Sequence, residues 1–168
     1  MTNKRLIILV ILIAVVSVGC GGIPPKSSEV IRGGVLTNSE YAALSLPLMD
    51  RITGGIISVG ELFVAAGDNL ELTFSTSWGT DVLHAIAQIK EGCLDFGELS
   101  PSPSMSAAHK ELMLGCDDLI ASGELIAVFL EEPGYNETSL ALLTSATEYI
   151  NKGTVHITTS TALLNAID

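Results

Sequence analysis

Three histidines, His84, His109 and His156, are the side chains of this 168-residue chain best suited to hold a metal or move a proton near neutral pH. In a set of antiparallel helices, His84 near the end of a second helix, His109 near the start of a third and His156 on a fourth fall in one layer. A metal site in a helical bundle needs such a layer. Helical phase argues against it. Val82 and Ile86 mark the buried stripe around His84 and turn it outward, and Thr154 and Ile157 do the same for His156. Only His109, beside Ala108, borders the core. There is no Glu-x-x-His pair of the di-iron kind. The expectation is therefore no metal and no cofactor, with a metal- or small-ligand-binding layer of His84, His109 and His156 as the alternative.

Other reactive types are spaced unhelpfully. Asp117-Asp118 and Glu131-Glu132 are adjacent pairs, and neighbours on a helix point about 100° apart, so neither pair closes on a substrate as acid and base. No Gly-x-Ser-x-Gly elbow, phosphate loop or dinucleotide-binding glycine pattern occurs. Asn136-Glu137-Thr138 has the form of a glycosylation sequon and reads better as a helix cap. Cys93 falls in the expected connection between the second and third helices, and Cys116 lies about twelve residues into the third. At 1.5 Å per residue their levels differ by roughly 15–20 Å, beyond the reach of a disulfide. Both are expected to be unpaired small apolar side chains. No catalytic residue is assigned, and the chain is read as a non-enzyme.

The N-terminus carries a stronger signal. Lys4 and Arg5 precede Leu6–Val18, an apolar run of thirteen residues. As a helix this run spans about 20 Å, short of the roughly 30 Å of a bilayer core. A basic start, a short apolar run and small residues after it describe a secretory signal peptide. Ser17-Val18-Gly19-Cys20 resembles the lipobox of prokaryotic membrane lipoproteins. Gly19 and Cys20 match at the two positions nearest the cut, and Ser17 stands where the family usually has Leu. The resemblance implies cleavage before Cys20, lipid on its thiol, and a place on the extracytoplasmic face of the cell membrane. Ser100 to His109 (SPSPSMSAAH) is also similar, over ten residues, to the Pro-rich loop and helix start of small uncharacterised helical lipoproteins. That similarity supplies no activity.

Composition agrees with a tethered domain. The chain has 8 basic and 19 acidic residues; without Lys4 and Arg5 the balance is 6 against 19, or −13. Such a surface repels nucleic acid and anionic headgroups, so neither is expected as a partner of the domain itself. Gly21 to Glu29 (GGIPPKSSE) cannot build a core and reads as a tether.

Four segments after it have helical period. The first, Asn38 to Ala66, places Leu44, Leu48, Ile52, Val59, Leu62 and Ala66 on one stripe, across Pro47 and Gly54-Gly55. The second runs from about Asn69 to Gly92, with LTFSTSWGT readable as a strand. The third, Ser104 to about Glu131, steps through Met105, Ala108, Leu112, Gly115, Leu119, Ser122, Ile126 and Phe129, with Ser102 or Ser104 as its cap. Pro133-Gly134 ends it. The fourth follows Asn136 through Leu140, Leu143, Thr147, Ile150, Thr154, Ile157, Thr161 and Leu164, with TVHITTSTA as a possible strand. The halves echo each other: Gly60-Glu61-Leu62-Phe63 against Gly123-Glu124-Leu125-Ile126, and Gln88 to Gly92 against Tyr149 to Gly153. The expected organisation is a signal peptide at 1–19, a lipidated cysteine and tether at 20–37, and an all-α, up-and-down antiparallel four-helix bundle at 38–168. The expected function is a lipid-anchored binding or interaction module at the cell envelope, held to the membrane through Cys20 and facing an envelope protein.

Overall fold

A computed structural model describes residues 34–131 and 136–166. The expected signal peptide, Cys20, most of the tether, and the Pro133-Gly134 stop lie outside the described residues. The described chain forms α1 (Asn38–Asp68), a 3-10 helix (Leu70–Phe74), α2 (Thr76–Gly97), α3 (Ser106–Glu131) and α4 (Glu137–Asn165). The fold is an all-α four-helix bundle.

Local chemistry sets the helix ends. Thr37 caps α1 in a capping box: its hydroxyl accepts from the Glu40 N–H while the Glu40 carboxylate accepts from the Thr37 N–H. The Thr37 hydroxyl also donates to the Glu40 carboxylate at 2.7 Å, and this bond, with the one from the Thr37 N–H, holds the Glu40 carboxyl below its ordinary range. The α1 helix continues through Pro47 and two residues past the expected end. Asn69 then accepts from the Glu71 N–H and starts the 3-10 helix. The expected second helix is thus two elements, and its β-branched first half is helical, not a strand. Asn136 caps α4 by accepting from the Ser139 N–H at 2.9 Å. Ser102 and Ser104 do not cap α3; both hydroxyls donate to Asn38 Oδ1, tying the α2–α3 connection to the start of α1. The threonine-rich end of α4 is helical. Thr154, Thr158, Thr159 and Thr161 each donate to the carbonyl four residues back, which satisfies their hydroxyls inside the helix.

Small residues bring the helices together in two hairpins, α1 with α2 and α3 with α4. A Cβ built on Gly55 would lie 2.8 Å from the Ala85 carbonyl oxygen, and one on Gly92 would lie 2.7 Å from Ile52 Cγ1. In the second hairpin, Cβ atoms on Gly115 and Gly153 would each lie 2.9 Å from the other's carbonyl oxygen. The two hairpins share one pattern. Ser45, Ile52, Val59 and Ala66 are buried on α1, and so are Ala108, Gly115, Ser122 and Phe129, each 63 residues later, on α3. Trp78, Ala85, Gly92 and Leu99 are buried, as are Ser139, Ala146, Gly153 and Ser160, each 61 residues later. These are the two spacings of the sequence echoes. Each helix therefore buries a residue every seven, the repeat of a coiled-coil seam.

The third-helix stripe is buried as expected, from Met105 to Phe129. In α4 the buried line sits one residue earlier than expected. Ser139, Ala146, Gly153 and Ser160 face α3, while Leu140 is 47% exposed. Close backbone contact selects the small residues, and the larger ones flank the seam. Ser122 Oγ is buried there without a hydrogen-bond partner.

Cys93 and Cys116 form a disulfide, with Cα atoms 5.4 Å apart, contrary to the expectation of two free thiols. The reason is register. The α2 helix includes Cys93 and runs on to Gly97, and the connection from Glu98 to Met105 climbs past that end before α3 begins. Seven residues from the bridge, in opposite directions along α2 and α3, Ile86 meets Gly123, where a Cβ would lie 2.7 Å from Ile86 Cγ2. The first turns of α3 thus overhang α2 and pack on the start of α1 and the end of α4.

Two stability outcomes follow. Gly115→Ala or Gly153→Ala should lower unfolding free energy by about 2–3 kcal/mol, because backbone must move. Gly54→Ala and Gly60→Ala, where a Cβ meets open space, should raise it by about 0.5–1 kcal/mol; denaturant titration of the four variants gives the signs. Because the bridged residues are 23 apart in sequence, Cys93→Ala/Cys116→Ala should cost about 3 kcal/mol relative to the oxidised protein, read in the same titration.

Candidate functional site

The α3 overhang joins a buried tyrosine to a half-buried histidine. Tyr41, on the first turn of α1, is 2% exposed. Its hydroxyl shares a 3.0 Å hydrogen bond with His109 Nδ1, and the rings meet edge to face at 5.8 Å. At the residue before His109, Ser160 of α4 donates to the Ala108 carbonyl at 2.7 Å. The pair is neutral by burial. Desolvation pushes the His109 pKa below its ordinary 6.5 and the Tyr41 pKa up to about 12. Its geometry is that of a core cross-link between α1 and α3.

His156 is half-buried between α4 and α3, not turned fully outward. Its Nδ1 lies 2.7 Å from Glu111 Oε2, and its Nε2 lies 3.9 Å from Asp118 Oδ2. The two carboxylates thus meet opposite ring nitrogens, a bracing arrangement and not a chelating one. His84 is exposed and hydrogen-bonded to Gln88 at 3.2 Å. The Ile86–Gly123 contact puts His84 level with the far half of α3, about 24 Å along the axis from His109 at 1.5 Å per residue. The structure brings His109 and His156 to one end and leaves His84 at the other, so the expected single layer does not form. The cause is the α3 overhang, which lifts His109 away from α2. Among the described residues no group of three His, Cys, Asp or Glu side chains could hold a metal ion. Asp117 and Glu131 are exposed, and Glu132 is outside the described residues.

Among the described residues, an open groove of about 400 Å³ between α1 and α2 is lined by Leu62, Ala65 and Ala85 together with Ser58, Glu61, Asp81, His84 and Gln88. The carbonyl of Leu62, one of the lining residues, accepts the Trp78 indole N–H at 2.9 Å, and Trp78 meets Phe63 edge to face at 5.3 Å. A smaller depression of about 150 Å³ lies between α2 and α3 around Gly123, lined by Ile86, Leu119 and Ile120. Sequence periodicity did not reveal the larger groove, because it is formed between residues 58–65 of α1 and 81–88 of α2 and depends on how the two helices pair.

The His109 environment has a pH consequence. With a folded pKa lowered, the imidazole binds its proton more tightly in the unfolded chain. The stability it contributes is present above about 6.5 and lost as pH falls through the depressed folded value. His109→Gln keeps an acceptor for Tyr41 and removes the titration. Its thermal midpoint should fall less steeply than that of the natural chain between about pH 7.5 and 5. Tyr41 acts in the opposite direction, its contribution vanishing as pH rises from 10 through about 12.

No protein-family model, no curated protein and no solved structure matches this chain.

Proposed function

We propose that the protein is a lipid-anchored, extracytoplasmic helical bundle that acts as a non-enzymatic binding or interaction module at the cell envelope. The observation that carries the address is the Cys93–Cys116 disulfide. Disulfides persist in oxidising compartments and are rare in the cytosol of most organisms. A disulfide thus supports the exported location that the leader and the lipobox-like Ser17-Val18-Gly19-Cys20 imply. Lipidation of Cys20 by two or more chains would hold such a domain durably, at about 0.8 kcal/mol per buried methylene.

The interaction role is supported by bulky apolar side chains left at the surface. Phe74, Val35 and Val155 are each more than 60% exposed, and Leu46 is 64% exposed. Leu36 donates its backbone N–H to the Ser100 carbonyl at 2.8 Å. The chain therefore enters the bundle at the end carrying the α2–α3 connection, and on the lipoprotein reading the opposite end would stand about 45 Å further from the membrane, the length of the 31-residue α1.

The test is Cys20→Ala, followed by fractionation and intact mass of the native product. The expected result is a domain released from the membrane fraction, or one retaining its uncut leader and lacking the lipid mass. Unchanged mass and unchanged membrane association would refute the lipoprotein reading.

A further inference from the structure

Charge is divided along the bundle axis. The only lysines and arginines among the described residues are Arg51, Lys90, Lys110 and Lys152. Arg51 is already paired with Asp95 at 2.7 Å. Through the helix register all four lie in the half nearer the tether. The other half holds Glu61, Asp68, Glu71, Asp81, Glu124, Glu131, Glu137 and Glu148 and, among the described residues, no cationic side chain. The same half exposes apolar residues at its tip. Phe74 is 63% and Leu70 51% exposed on the 3-10 helix, between Asp68 and the start of α2. Leu72 between them turns into the core, so the short helix is held in place and its two outward residues are presented as a pair. The α1–α2 groove in the same half carries Leu62 and Ala65 beside Glu61 and Asp81.

We infer that this tip and groove form a docking surface for a basic, amphipathic protein segment. The segment's apolar face covers Leu70 and Phe74 and lies toward Leu62 and Ala65, and its lysines or arginines meet Asp68, Glu71, Glu61 and Asp81. The choice of occupant follows from charge. An anionic bilayer or a nucleic acid is repelled by eight carboxylates with no cation among them. A second copy would bring the same acidic rim against itself, whereas a cationic segment is steered in and its charges are complementary at the edge of an apolar contact. The inference deepens the interaction-module reading and rests on it.

The test uses the full lipidated chain in neutral detergent and a fluorescent Lys/Leu amphipathic peptide of about 18 residues, followed by anisotropy. Leu70→Ser/Phe74→Ser should weaken binding about tenfold or more. Asp68→Asn/Glu71→Gln should weaken it severalfold and flatten its salt dependence. Leu94→Ser and Glu98→Gln, exposed changes in the tether-side half, should leave Kd within about twofold. Circular dichroism checks that each variant is folded. Equal weakening by tip and tether-side changes, or equal binding of a Glu/Leu peptide of the same pattern, overturns the proposal. So does loss of self-association or of anionic-vesicle binding, in place of peptide binding, on changing Leu70 and Phe74. Crosslinked partners that are still captured in native membranes by the tip variants would sink this surface while leaving the interaction-module reading intact.

Discussion

Close backbone contact at buried glycines is the constraint on which the molecule depends. Where Gly115 and Gly153 cross, and where Gly55 meets Ala85, there is no room for a side-chain carbon. Each helix pair is therefore locked at one register. A slip by one turn would put a leucine or isoleucine against a carbonyl. That single condition explains why α4 buries Ser139, Ala146, Gly153 and Ser160 and leaves larger neighbours at its flanks. It also explains why serines and alanines, weak contributors to a hydrophobic core, occupy the most buried line of three of the four helices.

The two hairpins would be separate objects without the links between them. The Cys93–Cys116 bridge joins α2 to α3, and Ile86 against Gly123 sets the same register one heptad away. With α3 fixed in this position, its first turns stand clear of α2. They reach α1 through the Tyr41–His109 hydrogen bond and α4 through Ser160. The half-buried imidazole is thus part of the packing between hairpins, and desolvation there lowers its pKa. At the far end, Phe63, Trp78 and Phe129 form the corresponding contact, with Phe63 and Phe129 centroids 6.3 Å apart. A polar clasp thus joins the hairpins at one end and an aromatic one at the other.

Antiparallel topology also sorts the charge. Because alternate helices reverse direction, four cations scattered in sequence from Arg51 to Lys152 gather in one half of the bundle. The carboxylates of Asp68, Glu71, Glu131 and Glu137, far apart in the chain, gather at the other end. The tether-side half also carries carboxylates, Glu40, Asp95, Glu98 and Glu111 among them, so both halves are acidic and the far half is distinguished by having no cation among the described residues.

Hydrophobic period alone was enough to establish four helices, their antiparallel order and the full buried stripe of α3, because Met105 to Phe129 keeps steps of three and four without a break. It also read His109 as a core-bordering residue from its place beside Ala108. The apolar run Leu6–Val18, the lipobox-like segment and the acidic balance are likewise properties of composition and order, and no packing alters them. Everything that turns on the vertical offset between helices lay beyond that reading: the pairing of Cys93 with Cys116, the separation of His84 from His109, the Tyr41 clasp and the α1–α2 groove. Periodicity gives the face of a helix and says nothing of its height against a neighbour. Height is set where glycines allow two backbones to touch and by how far a connection climbs before the next helix begins, and both exist only once the helices have packed.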